Sequence, residues 1–300
     1  MDQAQKLRNI IKAKQLSSQK PAARIITITS GKGGVGKSNT AINLAVQFKK
    51  QGNKVVILDA DFGLANIEIM FGTMPKYNLS DLIYQGKTIA EIITKGPNDI
   101  GFISGGSGIS GLANLDKDNL DYIIRNMAAL DRVADIIIID TGAGISATVM
   151  EFLVASGEII LVTTPEPTSI TDSYSLLKAL YSHPDFSAAE TQIRMVANRV
   201  AKEADGEILY TKLNSVVTKY LDVPLSYLGA VPQDTQLFNA VMHQVPVSIR
   251  SPKAKSALAY EKIAKKLLDV EIEENNLVKR GITSFFSHIV SGKKDRIEVK

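Results

Sequence analysis

Five charged side chains and one glycine-rich loop stand at spacings that suit work on a nucleoside triphosphate. The loop is Ser30-Gly31-Lys32-Gly33-Gly34-Val35-Gly36-Lys37-Ser38. An apolar run from Arg24 to Thr29 precedes it, and from Asn39 to Lys50 the apolar residues Ala41, Leu44, Ala45 and Phe48 recur at helical spacing. Strand, glycine loop and helix, in that order, form the setting in which a Walker A sequence binds phosphate. Backbone N–H groups from Gly31 through Gly33, Gly34, Val35 and Gly36 to Asn39 would face the phosphate oxygens, with the positive end of the helix behind them. Lys37 is predicted to reach the β- and γ-phosphates, and the Ser38 hydroxyl to sit on Mg²⁺.

Three carboxylates complete the chemistry. Val55-Val56-Ile57-Leu58 reads as a strand buried on both faces, and it ends in Asp59-Ala60-Asp61. Ala134 to Ile139, the most apolar strand, ends in Asp140-Thr141-Gly142-Ala143-Gly144. Carboxylates at the carboxyl ends of parallel strands lie where such sheets place their ligands. Asp140 is expected to hold Mg²⁺, Asp59 to support the ion's shell, and Asp61 to orient the attacking water. Helix capping and turn formation are the competing uses of these aspartates.

Strands must alternate with helices to position these residues. Further strands read at 100–104, 158–164, 193–197 and 225–230, and helices at 116–131, 205–220, 236–243 and 253–270, with another ending near Tyr181. Residues 67–99 read as loops and short helices. The result is a doubly wound, mainly parallel α/β fold of the P-loop NTPase type over residues 24–270. Residues 1–23 and 271–300 form two extensions.

With Lys32 directly after the first glycine, the loop resembles the deviant Walker A ATPases of the MinD/ParA group, whose signature is KGGxGK[ST]. The resemblance implies ATP/ADP and Mg²⁺ as cofactors, an ATP-dependent homodimer, and a Lys32 that reaches the phosphates of the partner subunit. Asp59 to Asn66 is similar to the group's DxDxGLxN segment, with Ala65 where an arginine is usual. Asn198, with Arg199, stands where the group reads the adenine edge, and Pro232, Gln233 and Asp234 would form the other side of the base pocket. Thr164 to Asp172 resembles the group's TxPExxSxxD stretch near the dimer interface; helix capping explains Thr168 to Asp172 equally well. The opening Asp2-Gln3-Ala4-Gln5-Lys6-Leu7-Arg8 matches DQAxxLR of the flagellar-number ATPases of the FlhG (FleN) type. That match implies an FlhF-like GTPase as partner, with Gln3 acting at the GTP site, and allows flagellar switch or C-ring proteins as further partners.

The 300 residues carry a net charge of +4, no cysteine, and no apolar run of transmembrane length or signal peptide. A cytoplasmic protein is expected, without disulfides or cysteine-ligated metal. His183, His243 and His288 have no ligand spacing. Residues 1–24 hold +5 and residues 277–300 hold +4, which leaves −5 for the globular part. Nucleic acid is therefore a disfavoured partner. Residues 2–16 read either as a short partner-binding helix or as a disordered tail. After the polar break 271–276, Ile282, Phe285, Phe286 and Ile289 share one face of a basic amphipathic helix. Such a helix suits an anionic membrane surface, which would make the protein peripheral on the inner face of the cell membrane when ATP is bound; a helix docked on the core or on a partner is the other reading. A flagellar-number regulator is thus expected, ahead of a MinD-type division-site ATPase and a ParA-type DNA-partitioning ATPase.

Overall fold

The computed structural model describes residues 22–62, 64, 66–106, 117–221, 223, 225–269 and 281–297. Its strands and main helices, in chain order, are β1 (Arg24–Thr29), α1 (Lys37–Lys50), β2 (Val55–Ala60), α2 (Asn66–Phe71), β3 (Thr94–Lys95), β4 (Gly101–Ile103), α3 (Lys117–Met127), β5 (Ile136–Thr141), α4 (Ala147–Ala155), β6 (Glu158–Thr163), α5 (Pro167–Tyr181), β7 (Gln192–Val200), α6 (Glu203–Leu221), β8 (Ser226–Pro232), α7 (Thr235–Met242), α8 (Lys255–Asp269) and α9 (Ile282–Ile297). The strands form one sheet in the order β3-β4-β2-β5-β1-β6-β7-β8, parallel except for the short edge pair of β3 with β4. All six residues of β1, β2, β5 and β6 are buried, as the mainly apolar centres of these strands require when both faces are covered.

The doubly wound expectation is met, with two local differences. The helix read over 116–131 ends at Met127, and a separate short helix covers Leu130–Val133. The expected strand 193–197 extends to Val200 through a register irregularity at Asn198, where Arg199 takes a left-handed φ of 57°. That irregularity turns the strand end toward the nucleotide face.

Helices cover both faces of the sheet. One core cluster packs α1 and α8 on Ile26, Ile28, Ile57 and Ile138. A second packs Ile25, Leu58, Ile137 and Ile139 under α3, α4 and α9. The C-terminal helix departs from the sequence expectation. Ile282, Phe285 and Phe286 are at most 1% exposed and Ile289 is 4% exposed. They pack with Ile123, Met127, Leu130, Phe152 and Ala155 in this cluster. The apolar face expected to meet lipid is therefore covered by the ATPase core. Periodicity alone gives the same pattern for a helix buried by protein and one buried by lipid. Among the described residues no helix is long and apolar enough to cross a membrane. Residues 277–280 of the expected helix lie outside the described residues.

At the opposite end of the strands from the glycine loop, Glu158 joins two buried arginines. Its oxygens accept from Arg24 at 2.7 and 2.7 Å and from Arg194 at 2.9 Å, and Arg24 also donates to the carbonyl of Leu267 at 2.6 Å. This ties β1, β6, β7 and the end of α8 together. Glu158→Ala should cost about 3–5 kcal/mol, because it leaves two buried guanidiniums without their carboxylate. Urea unfolding followed by circular dichroism measures it, and a loss below about 1 kcal/mol would contradict the buried network.

Candidate nucleotide site

The glycine loop leaves β1 at the centre of the sheet and runs into α1. Gly36, the residue before the helix, has φ 99°, and no side chain caps the first turn, which also carries no acidic residue. Helix-start N–H groups are thus left for a ligand, and the helix dipole favours an anion there. Gly31 packs against α5 so closely that a Cβ would lie 2.2 Å from the Asp172 carbonyl carbon. Lys37 is buried, and its charge acts on both Asp61 and Asp140.

Strand register brings the carboxylates together. Asp59 on β2 is the pair partner of Asp140 on β5, and Asp140 pairs in turn with Ile28 of β1. Burial, then the Asp140 charge, pushes the Asp59 carboxyl up to about 8. Burial pushes Asp140 up to about 7, against the pull of Ser38 and Lys37. Ser38 lies beside Asp140 and eases its charge, yet neither Asp140 oxygen accepts a hydrogen bond of normal geometry. A fully buried carboxylate with two unpartnered oxygens next to a serine fits a divalent cation. Among the described residues no three His, Cys, Asp or Glu side chains are grouped to hold a metal ion. That suits Mg²⁺, which keeps water and takes phosphate oxygens. Asp59 has additional work: it accepts from the N–H of Asp61 and of Ile67, each at 3.2 Å, and so fixes the turn into α2.

Asp61 sits at the edge of this group. Burial raises its pKa, while Lys37 and an amide hydrogen bond from Asn66 at 3.1 Å lower it. A Cβ on Gly142 would lie 3.3 Å from Asp61 Oδ1, so the glycines after Asp140 approach this carboxylate directly. Asn66 stood in the quoted motif, but its role as the residue that holds Asp61 emerges only from the geometry. Gly63 and Ala65, between them, lie outside the described residues.

Lys32 points away from its own loop. Its ammonium donates to Glu166 Oε2 at 2.7 Å and to Thr168 Oγ1 at 2.8 Å, at the start of α5. The hydrogen bond and charge of Lys32 hold the Glu166 carboxyl below its ordinary range. Glu166 and Thr168 belong to the stretch whose sequence left interface and capping equally open. In the structure they grip the loop's second lysine.

A cleft of about 440 Å³ beside the loop is lined by Gly36, Asn39, Asn198, Arg199, Pro232, Gln233 and Asp234, and also by Thr235, Leu237, Phe238 and Val241. The structure thus gathers the expected base-pocket residues and adds an apolar wall from α7. That wall was latent in the sequence as apolar positions at helical spacing after Asp234. Asn198 donates from Nδ2 to the Val35 carbonyl at 2.7 Å, and its Oδ1 is buried without a partner. Its amide is therefore oriented as an acceptor, the complement of adenine's exocyclic amino group and not of guanine's carbonyl. Asp234 lines the cleft, but its carboxylate accepts from the N–H groups of Gln236 and Ser256 and from the Ser256 hydroxyl. It caps α7 and ties it to α8. Gln3 lies outside the described residues.

Comparison with known proteins shows the family. Residues 26–247 match the CobQ/CobB/MinD/ParA nucleotide binding domain. The chain is 34% identical over 273 residues to the antiactivator FleN of Pseudomonas aeruginosa, covering 91% of this chain and 95% of that one. It is 33% identical over 287 residues to the flagellum site-determining protein YlxH of Helicobacter pylori, covering 95% of each. Among solved structures, the septum site-determining protein MinD of Pyrococcus horikoshii, complexed with Mg-ADP, superposes with a TM-score of 0.63 at 25% identity, over 82% of this chain and 96% of that one.

The raised carboxyls predict a pH signature. In metal-free protein the folded state retains protons on Asp59 and Asp140 that the unfolded chain releases above pH 3.8, so stability falls as pH rises from there toward about 8. Asp59→Asn should flatten that slope. Mg²⁺ binding must expel these protons, so apparent Mg²⁺ affinity should rise with pH to about 8 and then level. Denaturant titrations across pH and calorimetry in buffers of different ionisation heat measure both; no proton release on Mg²⁺ binding at pH 6.5 would contradict the assignment.

Proposed function

The chain belongs to the CobQ/CobB/MinD/ParA family of nucleotide-binding proteins and is an ATP-hydrolysing P-loop enzyme that works with Mg²⁺, and from that premise we propose that it is a switch that sets flagellum number and placement. Likeness to two flagellar proteins along more than nine-tenths of the chain supports the flagellar setting. The opening DQAxxLR match supports it from outside the ATPase fold.

The chemistry follows from the chain's own residues. Lys37 and the free N–H groups at the start of α1 hold the β- and γ-phosphates. Ser38 and Asp140, backed by Asp59, would hold the cation, which would supply positive charge against the developing charge of phosphoryl transfer. Asp61, oriented by Asn66, positions the attacking water. Lys32 passes from Glu166 and Thr168 to the phosphates of a partner subunit when ATP brings two copies face to face. Each copy then adds a cation to the other's site, so nucleotide state biases dimerisation.

The observation that carries the switch reading is the position of the C-terminal helix. Phe62 follows Asp61 in sequence, its ring lies 6.2 Å from that of Phe152, and Phe152 lies 5.7 Å from Phe285 of α9. A rearrangement at Asp61 on ATP binding thus reaches the docked helix through two ring contacts. Undocked, the helix presents Ile282, Phe285, Phe286 and Ile289 to an anionic membrane, and two copies on a dimer bind far more tightly than one. ADP and re-docking return the protein to solution.

Two measurements test this reading. Phe152→Ala empties the docking face but leaves the helix's own face intact, so with ADP it should bind anionic liposomes more strongly than the wild type does, and the remaining preference for ATP should shrink to the avidity of two helices over one. Phe285→Glu should bind in neither state. Sedimentation with liposomes reads both, and ATP-gated binding by Phe152→Ala equal to wild type would reject docking as the gate.

Gln3→Ala should leave ATP hydrolysis unchanged and reduce stimulation of an FlhF-type GTPase by about a hundredfold, the lower end of the range for loss of one positioned catalytic group. A GTPase indifferent to residues 1–20 would instead favour division-site placement or DNA partitioning.

A further inference from the structure

Both terminal extensions meet at one carboxylate. Asp131, on the short helix Leu130–Val133, lies far from the nucleotide loop in the chain and does no work in the chemistry above. Its Oδ1 accepts from the N–H of Ala23 at 3.2 Å and from the N–H of Ile282 at 3.1 Å. The first is the last residue before β1, where the N-terminal extension joins the fold. The second is the first residue of α9. A third bond closes the joint, from the N–H of Gly281 to the carbonyl of Ala23 at 3.2 Å. Gly281 has φ 88°, and a Cβ there would lie 3.0 Å from the Ala22 Cβ and 3.1 Å from Asp131 Oδ2, so the three segments are in tight contact.

We propose that Asp131 is a clasp through which the two extensions are held and released together. Undocking α9 removes the Gly281 bond to Ala23 and half of the Asp131 bridge. It also strips apolar cover from Ala23, which is 1% exposed and shares a cluster with Ile282, Phe285 and Phe286. The base of the N-terminal extension then keeps a single anchor. By reciprocity, a partner that pulls the N-terminal extension away from Ala23 weakens the docking of α9 by the same free energy. An effector at one terminus and an effector at the other are thus linked without contact between them. For its biological consequence the proposal rests on the reading of both termini as effector segments. The clasp itself rests on geometry alone.

Hydrogen–deuterium exchange on the full chain tests the clasp without membrane or partner, so its failure is separate from any failure of the switch. Asp131→Ala should accelerate exchange at the Ala23 amide and across 282–289 together, by about tenfold or more at Ala23, while amides 137–139 of β5 stay protected. Ile289→Ala loosens α9 two turns away from the joint and should accelerate exchange at Ala23 in the same way. Faster exchange of α9 in Ile289→Ala with unchanged protection at Ala23 would overturn the proposal, as would a response of only one segment to Asp131→Ala.

Discussion

Two aspartates face each other across adjacent parallel strands, in a place where burial opposes the charge of both. Asp59 and Asp140 are register partners, and among the described residues neither Asp140 oxygen has a hydrogen-bond partner of normal geometry. Everything at the carboxyl ends of the central strands answers that electrostatic demand. Lys37 lies close enough to act on Asp140, Ser38 stands beside it, and the uncapped start of α1 adds partial positive charge. A magnesium nucleotide answers the same demand, so its binding stabilises the folded chain.

The protein captures Lys32 in the state described. Its ammonium is neutralised within its own chain by Glu166 and Thr168, at the start of the helix on which Gly31 packs. A strongly hydrated cation at the rim of a loop needs a partner. Glu166 supplies one at a half-exposed position, where an ion pair is easily exchanged.

The C-terminal helix extends this logic beyond the nucleotide. Its apolar face completes the second core cluster, so docking costs no exposed hydrophobic surface, yet the helix touches the core mainly through one stripe of four side chains. Its position next to Phe152 and Asp131 puts it within reach both of the switch segment and of the chain's other end.

Much of the fold and of the chemistry was legible in the sequence. Fully apolar strands, glycine spacing and aspartates at strand ends are local signals, because backbone wrapping and strand burial depend on neighbours in the chain. These determined the doubly wound sheet and marked the glycine loop and Asp59, Asp61 and Asp140 as candidates at the carboxyl ends of its strands. What tertiary structure alone decided were the contacts between distant segments: Lys32 with Glu166, Asn198 with Val35, Asn66 turned onto Asp61, and Asp131 between Ala23 and Ile282. The C-terminal helix shows the boundary most clearly. Phe285 and Phe286 on one face dictate that the face be buried, but lipid, partner and core remove it from water equally well. Only the groove formed by Ile123, Met127 and Phe152, side chains separated from it by more than a hundred residues, settles which one covers it here.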